Sequence, residues 1–161
     1  MDQNKNDLKK FIKNSIFKKI FIITGRKSFK ESGAELFLEE TLRKKNAKIF
    51  FKENNIPVLE ELIILINEII DYKPDLLLAI GGGSVIDYAK IANLVDPKKN
   101  LKNLIINYNY PFKKKFTKLA VVPTTAGSGA EVTSNAVIYV DKIKYSFESE
   151  LLIPDYYFLI N

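Results

Sequence analysis

The sequence predicts an α/β domain built on a doubly wound, mainly parallel sheet, and three observations predict it. The apolar runs Lys19–Thr24, Asp75–Ile80 and Leu119–Val122 show no polar alternation, as expected of strands buried on both faces. They alternate along the chain with stretches of helical periodicity, the order in which helices cross over between parallel strands. Two glycine-rich segments also follow directly on two of these strands, where ligands bind in such sheets.

Leu8–Phe17 places Leu8, Phe11, Ile12 and Ile16 at the spacing of a short amphipathic helix. The β-branched and aromatic run Lys19–Thr24 stops at Gly25 and reads as a buried strand. Ser32–Lys45 reads as a helix, with Ala34, Phe37, Leu38 and Leu42 on one face and Glu39 and Glu40 near Arg43 and Lys44 outside. A short strand, Ala47–Phe51, ends in the turn-rich Asn54-Asn55-Ile56-Pro57. Helix is expected over Leu59–Ile70, strand over Asp75–Ile80 and helix over Val85–Leu94. After Leu119–Val122, strand character recurs at Asn135–Val140, Lys144–Phe147 and Tyr156–Ile160.

The chain has 161 residues, room for one domain with a packed core, and residues 1–161 are read as a single unit. Its 47% hydrophobic and 27% charged residues exclude disorder. It contains no His and no Cys, which excludes a Ser-His-Asp triad, a Cys nucleophile, a zinc finger and a disulfide framework within this chain. Lys and Arg (25) outnumber Asp and Glu (19), a formal charge of +6. The lysines are scattered, and the tightest run, Lys113-Lys114-Lys115, is short, so they read as solvated surface and no nucleic-acid partner is expected. The amino terminus is polar and no uncharged run reaches spanning length, so no membrane and a cytoplasmic location are expected.

The first glycine-rich segment is Gly81-Gly82-Gly83-Ser84. Three missing Cβ atoms at a strand-to-helix turn let backbone N–H groups approach a ligand, and the following helix aims its positive dipole end at the same place, which suits a pyrophosphate. Ser84-x-x-Asp87 also fits a capping box that would account for both residues without a ligand. The second segment runs from Thr124 to Ser134. Its Thr124, Thr125, Ser128 and Thr133 carry hydroxyls on short stems that suit a ribose, an amide or a phosphate; an ordinary capping loop would use the same residues. Two such loops at strand ends of one sheet form a nucleotide crevice.

Gly81-Gly82-Gly83-Ser84-x-x-Asp87-x-Ala89-Lys90 and Pro123-Thr124-Thr125-Ala126-Gly127-Ser128-Gly129-x-Glu131-Val132-Thr133 resemble the two cofactor motifs of the iron-containing (group III) alcohol dehydrogenase family. Lys144-Tyr145-Ser146 and Leu152-Ile153-Pro154-Asp155 are similar to the stretches that close that family's nucleotide-binding domain, so the resemblance covers nearly the whole chain. Ala136–Tyr157 resembles more narrowly the phosphonoacetaldehyde-reductase branch. The resemblance implies a Rossmann-like, dehydroquinate synthase-like amino-terminal domain, and hydride transfer between NAD or NADP and a small alcohol or aldehyde. It implies that Gly82, Gly83 and Ser84 hold the pyrophosphate and that Asp87 lies toward the nicotinamide. Thr124, Thr125 and Ser128 would line the adenosine and phosphate region, with Thr133 and Lys144 also at the cofactor.

Two departures stand out. NAD-preferring members carry an Asp after the first strand; here that position is Gly25, followed by Arg26 and Lys27, which opens the way to NADP. The alternative is a tight turn at Gly25 with Arg26 solvated. The family's divalent metal, iron or zinc, is held by an Asp and several His in a following helical domain, and this sequence is read as lacking both that domain and the ligands. The expected partners are accordingly the dinucleotide, the alcohol or aldehyde, a separately encoded helical domain, and a second copy in a homodimer. A non-catalytic or decayed nucleotide-binding module is the competing reading, followed by a glycerol-phosphate dehydrogenase-like or dehydroquinate-synthase-like fragment.

Overall fold

The structure, a computed structural model, describes residues 3–159 apart from 32, 96–99, 110, 111, 113 and 126, so Lys113, Ala126 and Ile160 of the sequence reading lie outside the described residues. The chain runs α1 (Gln3–Asn14), β1 (Lys19–Gly25), α2 (Arg26–Glu31), α3 (Ala34–Leu42), β2 (Asn46–Lys52), α4 (Leu59–Tyr72) and β3 (Leu76–Gly81). It continues through α5 (Gly83–Ala92), α6 (Leu101–Ile106), β4 (Lys118–Pro123), β5 (Asn135–Val140), β6 (Ile143–Glu148), a single 3-10 turn and β7 (Tyr156–Tyr157). Five strands form one sheet in the order β2-β1-β3-β4-β7, with every neighbouring pair parallel. The order reverses direction between β1 and β3, and that switch point opens a crevice at the carboxyl ends of the strands.

Both faces of the sheet are covered, which is why its central strands carry no polar alternation. Ile20, Ile22, Leu76, Leu78, Ile80, Ala120 and Val122 pack on Leu8 and Ile12 of α1 and Leu38 of α3. The intervening residues Phe21, Ile23, Leu77, Ala79, Leu119 and Val121 face the opposite core, built by α4, α5 and the β5–β6 pair. The doubly wound expectation therefore holds.

Several elements differ from the sequence reading. The helix expected over Ser32–Lys45 is α3, Ala34–Leu42, which starts only after Gly33 at a left-handed φ of 71°, and a separate short helix, α2, precedes it. β1 runs to Gly25 and α2 starts directly after it, so Gly25 is a strand end and not a tight turn, while Arg26 and Lys27 are exposed on the first turn of a helix. α6 has no counterpart among the expected elements; six residues are too few to set a period, and the side chain of Asn100 caps it by accepting from Asn103 N–H at 3.2 Å. β5 and β6 form a separate antiparallel hairpin. Its turn residues Asp141 and Lys142 have φ of 49° and 68°, the type I′ geometry that Asn-Gly usually announces.

Two Pro-Asp pairs fix the opposite end of the sheet. Asp75, after Pro74, accepts the N–H groups of Lys18 and Lys19 at 2.9 Å each and thereby caps the start of β1, beside its own strand β3. Asp155, after Pro154, does the same for β4. It accepts Leu119 N–H at 3.0 Å and pairs with Lys115 at 3.1 Å and Lys118 at 2.9 Å. The Leu-x-Pro-Asp stretch is thus a strand-registering device. Next to it, Phe11 packs against Tyr156 and Phe158 with ring centroids 4.8 and 5.2 Å apart, while Tyr157 and Leu159 remain exposed.

Burial works to raise the Asp155 carboxyl, but Lys118, Leu119 N–H and Lys115 outweigh it and leave it below its ordinary value. Its stabilisation is therefore complete above the ordinary carboxylate pKa and is lost as pH falls through the lower, folded-state value. Asp155→Ala is expected to cost about 2 kcal/mol near neutral pH, the scale of hydrogen bonds to a charged group. Urea melts of both proteins at pH 7 and pH 3 check this; a gap between them that does not narrow in acid would contradict it.

Candidate functional site

Every expected site residue except Lys144 lies on a strand end, loop or helix start at the carboxyl edge of the sheet, or on α5 behind it. Gly25 ends β1, whose preceding residue Thr24 is in register with Ile80 of β3, so Gly25 sits beside the first glycine-rich loop. β3 and β4 stay paired to Gly81 and Pro123, and one further bond, Thr124 N–H to Gly81 C=O at 3.0 Å, carries the ladder into the loops. The two loops consequently leave the sheet side by side.

Their closeness explains Gly82. A Cβ on Gly82 would stand 2.9 Å from Thr125 Oγ1, whereas one on Gly83 would meet Ser128 Cβ at 3.4 Å, an ordinary contact. Gly81 is required for a different reason: its Cβ would meet Val85 Cγ2, in the first turn of α5, at 2.5 Å. Gly82 is the N-cap of α5 and no side chain caps the helix. The capping-box reading is thus corrected. The helix begins at Gly83, Ser84 is its second residue, and the Asp87 carboxyl turns to the backbone N–H of Val137 on β5. The helix start is left to other partners, since the N–H groups of Gly83 and Ser84 precede the first intrahelical bond. Nearby, Thr124 Oγ1 is buried and has no hydrogen-bond partner. A dinucleotide fits this arrangement: a bare helix start, an orphaned hydroxyl, and exposed Thr125 and Ser128 beside them.

From residue 2 to residue 160 the chain matches the family model described as iron-containing alcohol dehydrogenase. The chain belongs to this family. An alcohol dehydrogenase of Thermococcus barophilus is 31% identical over 106 residues, covering 62% of this chain and 28% of that protein. The NADH-dependent butanol dehydrogenase A of Thermotoga maritima shares the fold with a TM-score of 0.83 at 24% identity, covering 98% of this chain and 40% of that one. The sulfoacetaldehyde reductase of Bifidobacterium kashiwanohense, solved in complex with NAD+, gives a TM-score of 0.83 at 21% identity, covering 99% and 43%. The chain spans less than half the length of these relatives.

In this member of the family, α5 also carries residues that the sequence reading gave no role. Lys90 is buried and donates to Thr133 C=O at 2.8 Å, Thr133 Oγ1 at 3.3 Å and Asn135 C=O at 2.9 Å. Burial lowers its pKa to about 8, against the opposing pull of Asp87 and Glu131. Tyr88 is fully buried, donating to Glu61 Oε2 at 2.7 Å and accepting Val58 N–H at 2.7 Å. Burial works to raise the Glu61 carboxyl, yet the N–H groups of Glu53 and Asn54, the Tyr88 hydroxyl and the Asn54 amide hold it below its ordinary value. A signal for Lys90 was present in the sequence: a cation one turn beyond Asp87 on an otherwise apolar stretch. Nothing marked Glu61, since half its partners are backbone N–H groups and its tyrosine partner lies on another helix.

Asp87, Lys90, Glu131 and Lys144 are electrostatically coupled, which brings Lys144 of β6 into the constellation. Among the described residues no three His, Cys, Asp or Glu side chains gather to hold a metal ion.

Burial pushes the Asp87 carboxyl up to about 6, with Lys90, Val137 N–H and Lys144 opposing. Between its ordinary value and that pKa the folded chain holds a proton the unfolded chain has lost, so this group makes stability fall as pH rises from about 4 to 6. Asp87→Asn removes that slope. Its melting temperature relative to the wild type is expected to rise across this window, by at most the equivalent of roughly 3 kcal/mol. Thermal melts at several pH values read it out, and a constant offset would mean an unshifted carboxyl.

Proposed function

We propose that residues 1–161 form one dinucleotide-binding unit, the NAD(P)-binding part of a metal-dependent alcohol dehydrogenase or aldehyde reductase. The observation that carries this is the meeting of the two loops beyond the paired ends of β3 and β4, next to the switch point, with the bare start of α5 between Gly82 and Ser128. On this reading the pyrophosphate lies against the N–H groups of Gly83 and Ser84, where the helix dipole favours negative charge. Thr124 Oγ1 finds in the ligand the partner it lacks, and Thr125 and Ser128 flank the same phosphates and ribose. Asp87, Thr133 and Lys144 stand on the nicotinamide side. The chain's part in catalysis is to bind and orient the cofactor so that hydride passes in one geometry.

In the family's chemistry a divalent iron or zinc polarises the alcohol oxygen. The described residues do not fit that ion, and on this reading both the metal and the wall of the alcohol or aldehyde pocket are supplied by other residues. The tight packing of Gly82 on Thr125 sets the first test. Gly82→Val is expected to keep the far-UV spectrum and to weaken NADH and NADPH binding by about tenfold or more, a loss of at least 1.4 kcal/mol. Nicotinamide fluorescence titrations measure it; unchanged affinity for both dinucleotides would refute the site.

The cofactor choice is proposed to include NADP. Gly25 leaves no carboxylate to repel a 2′-phosphate, and Arg26 stands beside it, its guanidinium 4.9 Å from the Phe51 ring centroid and 3.2 Å from Glu53. This tether aims Arg26 at the ends of β1 and β2 without burying its charge. Arg26→Ala should lower NADPH affinity about tenfold, the scale of a charge-assisted hydrogen bond, and leave NADH affinity nearly unchanged. Parallel titrations decide it: equal losses for both cofactors, or none, would remove Arg26 from the 2′-phosphate.

A further inference from the structure

The second loop, residues 124–134, is anchored to α5 at two points. At its start, Thr124 N–H bonds Gly81 C=O and Thr125 abuts Gly82 at the helix N-cap. At its end, Lys90 holds the carbonyls of Thr133 and Asn135 and the Thr133 hydroxyl. Seven residues separate Gly83 from Lys90, about two turns or 10 Å along the helix. The loop is therefore strapped along α5, with the positive-φ glycines 127 and 129 making its bends at φ of 88° and 60°.

The anchoring continues along β5. In an antiparallel pair each residue turns its N–H and C=O to the same side, so Asn135, Val137 and Tyr139 share one edge. Asn135 C=O accepts from Lys90, Val137 N–H donates to Asp87, and Tyr139 N–H donates to Pro57 C=O at 2.8 Å. α5 and the connection before α4 thus each take contacts from the edge that β6 leaves open. Lys90 contributes at the junction where loop becomes strand. At 1% exposure it is too enclosed to touch a dinucleotide itself. The charged groups around it are Asp87 on α5 and Glu131 in the loop, with Lys144 of β6 facing Asp87.

We propose that Lys90 is a positioning residue for the cofactor: by clamping Thr133 and Asn135 it sets where the second loop lies over the start of α5, and hence how tightly a nicotinamide dinucleotide is held. The proposal rests on the dinucleotide reading above. A residue that only stabilised the core would lower the melting temperature and leave the affinity of the folded protein alone. A positioning residue changes the affinity well below the melting temperature.

The test compares the whole chain with its Lys90→Met and Lys90→Arg variants by NADH and NADPH fluorescence titration, alongside amide hydrogen exchange. Lys90→Met is expected to stay folded, weaken binding by about tenfold or more, and speed exchange over residues 124–135 while β1 and β3 are unaffected. Lys90→Arg, which keeps the charge and donors, should recover part of the affinity. If Lys90→Met does not fold, Lys90→Gln carries the same comparison. A folded Lys90→Met or Lys90→Gln with wild-type affinity would overturn the positioning role while the dinucleotide reading stands. Failure of both neutral variants to fold would assign Lys90 to the core and overturn it too. A wild type that binds neither dinucleotide would bring down the dinucleotide reading, and this proposal with it.

Discussion

Neighbouring parallel strands lie about 4.8 Å apart, and whatever leaves their carboxyl ends in register must leave at that spacing. β3 and β4 hold register through Gly81 and Pro123 and one bond beyond, so two loops that are forty residues apart in sequence begin in contact. A side chain at 82 would crowd Thr125 of the opposite loop and one at 81 would crowd Val85 of the loop's own helix, so those two glycines answer to that spacing. The uncapped helix start is what this crowding leaves exposed. The site is a by-product of strand pairing continued slightly too far for side chains.

The strands of this sheet were legible because burial on both faces writes itself as uninterrupted apolar residues, as at Leu76–Ile80. The loops were legible because glycine and hydroxyl residues rarely crowd a strand end without a reason. What was illegible depended on partners far away in sequence. Asp87 reads locally as a helix-capping carboxylate, and only the arrival of Val137 shows otherwise. Gly33 reads as tolerable within a helix until its left-handed φ divides α2 from α3. The β5–β6 turn puts Lys142 where Asn-Gly or Asp-Gly turns carry glycine, so the hairpin announced itself as two unconnected strands.

Three ionisable side chains, Glu61, Asp87 and Lys90, lie largely inside this small fold, and desolvation works against each of them. Buried charges are poor sources of net stability, because the cost of removing them from water offsets most of what their partners return. Their partners here are mainly backbone groups: Glu53 and Asn54 N–H, Val137 N–H, and the carbonyls of Thr133 and Asn135. An apolar side chain could fill the same space but could not select one backbone path over another. These charges therefore specify which way the irregular segments run between the strands.

The concentration of these contacts on α5 has an evolutionary consequence. Asp87 reaches β5 and Lys90 reaches the adjoining end of the second loop from one face of the helix, and Tyr88 reaches the connection before α4. Substitution at one of these positions removes one tie. Inserting or deleting a single residue between Ser84 and Asp87 would rotate every later side chain by about 100° relative to the glycine loop, and all three ties would be lost together. Length in this segment is therefore more tightly constrained than composition: descendants of this sequence can drift in residue identity along the helix, but the count of residues from glycine loop to lysine has to stay the same.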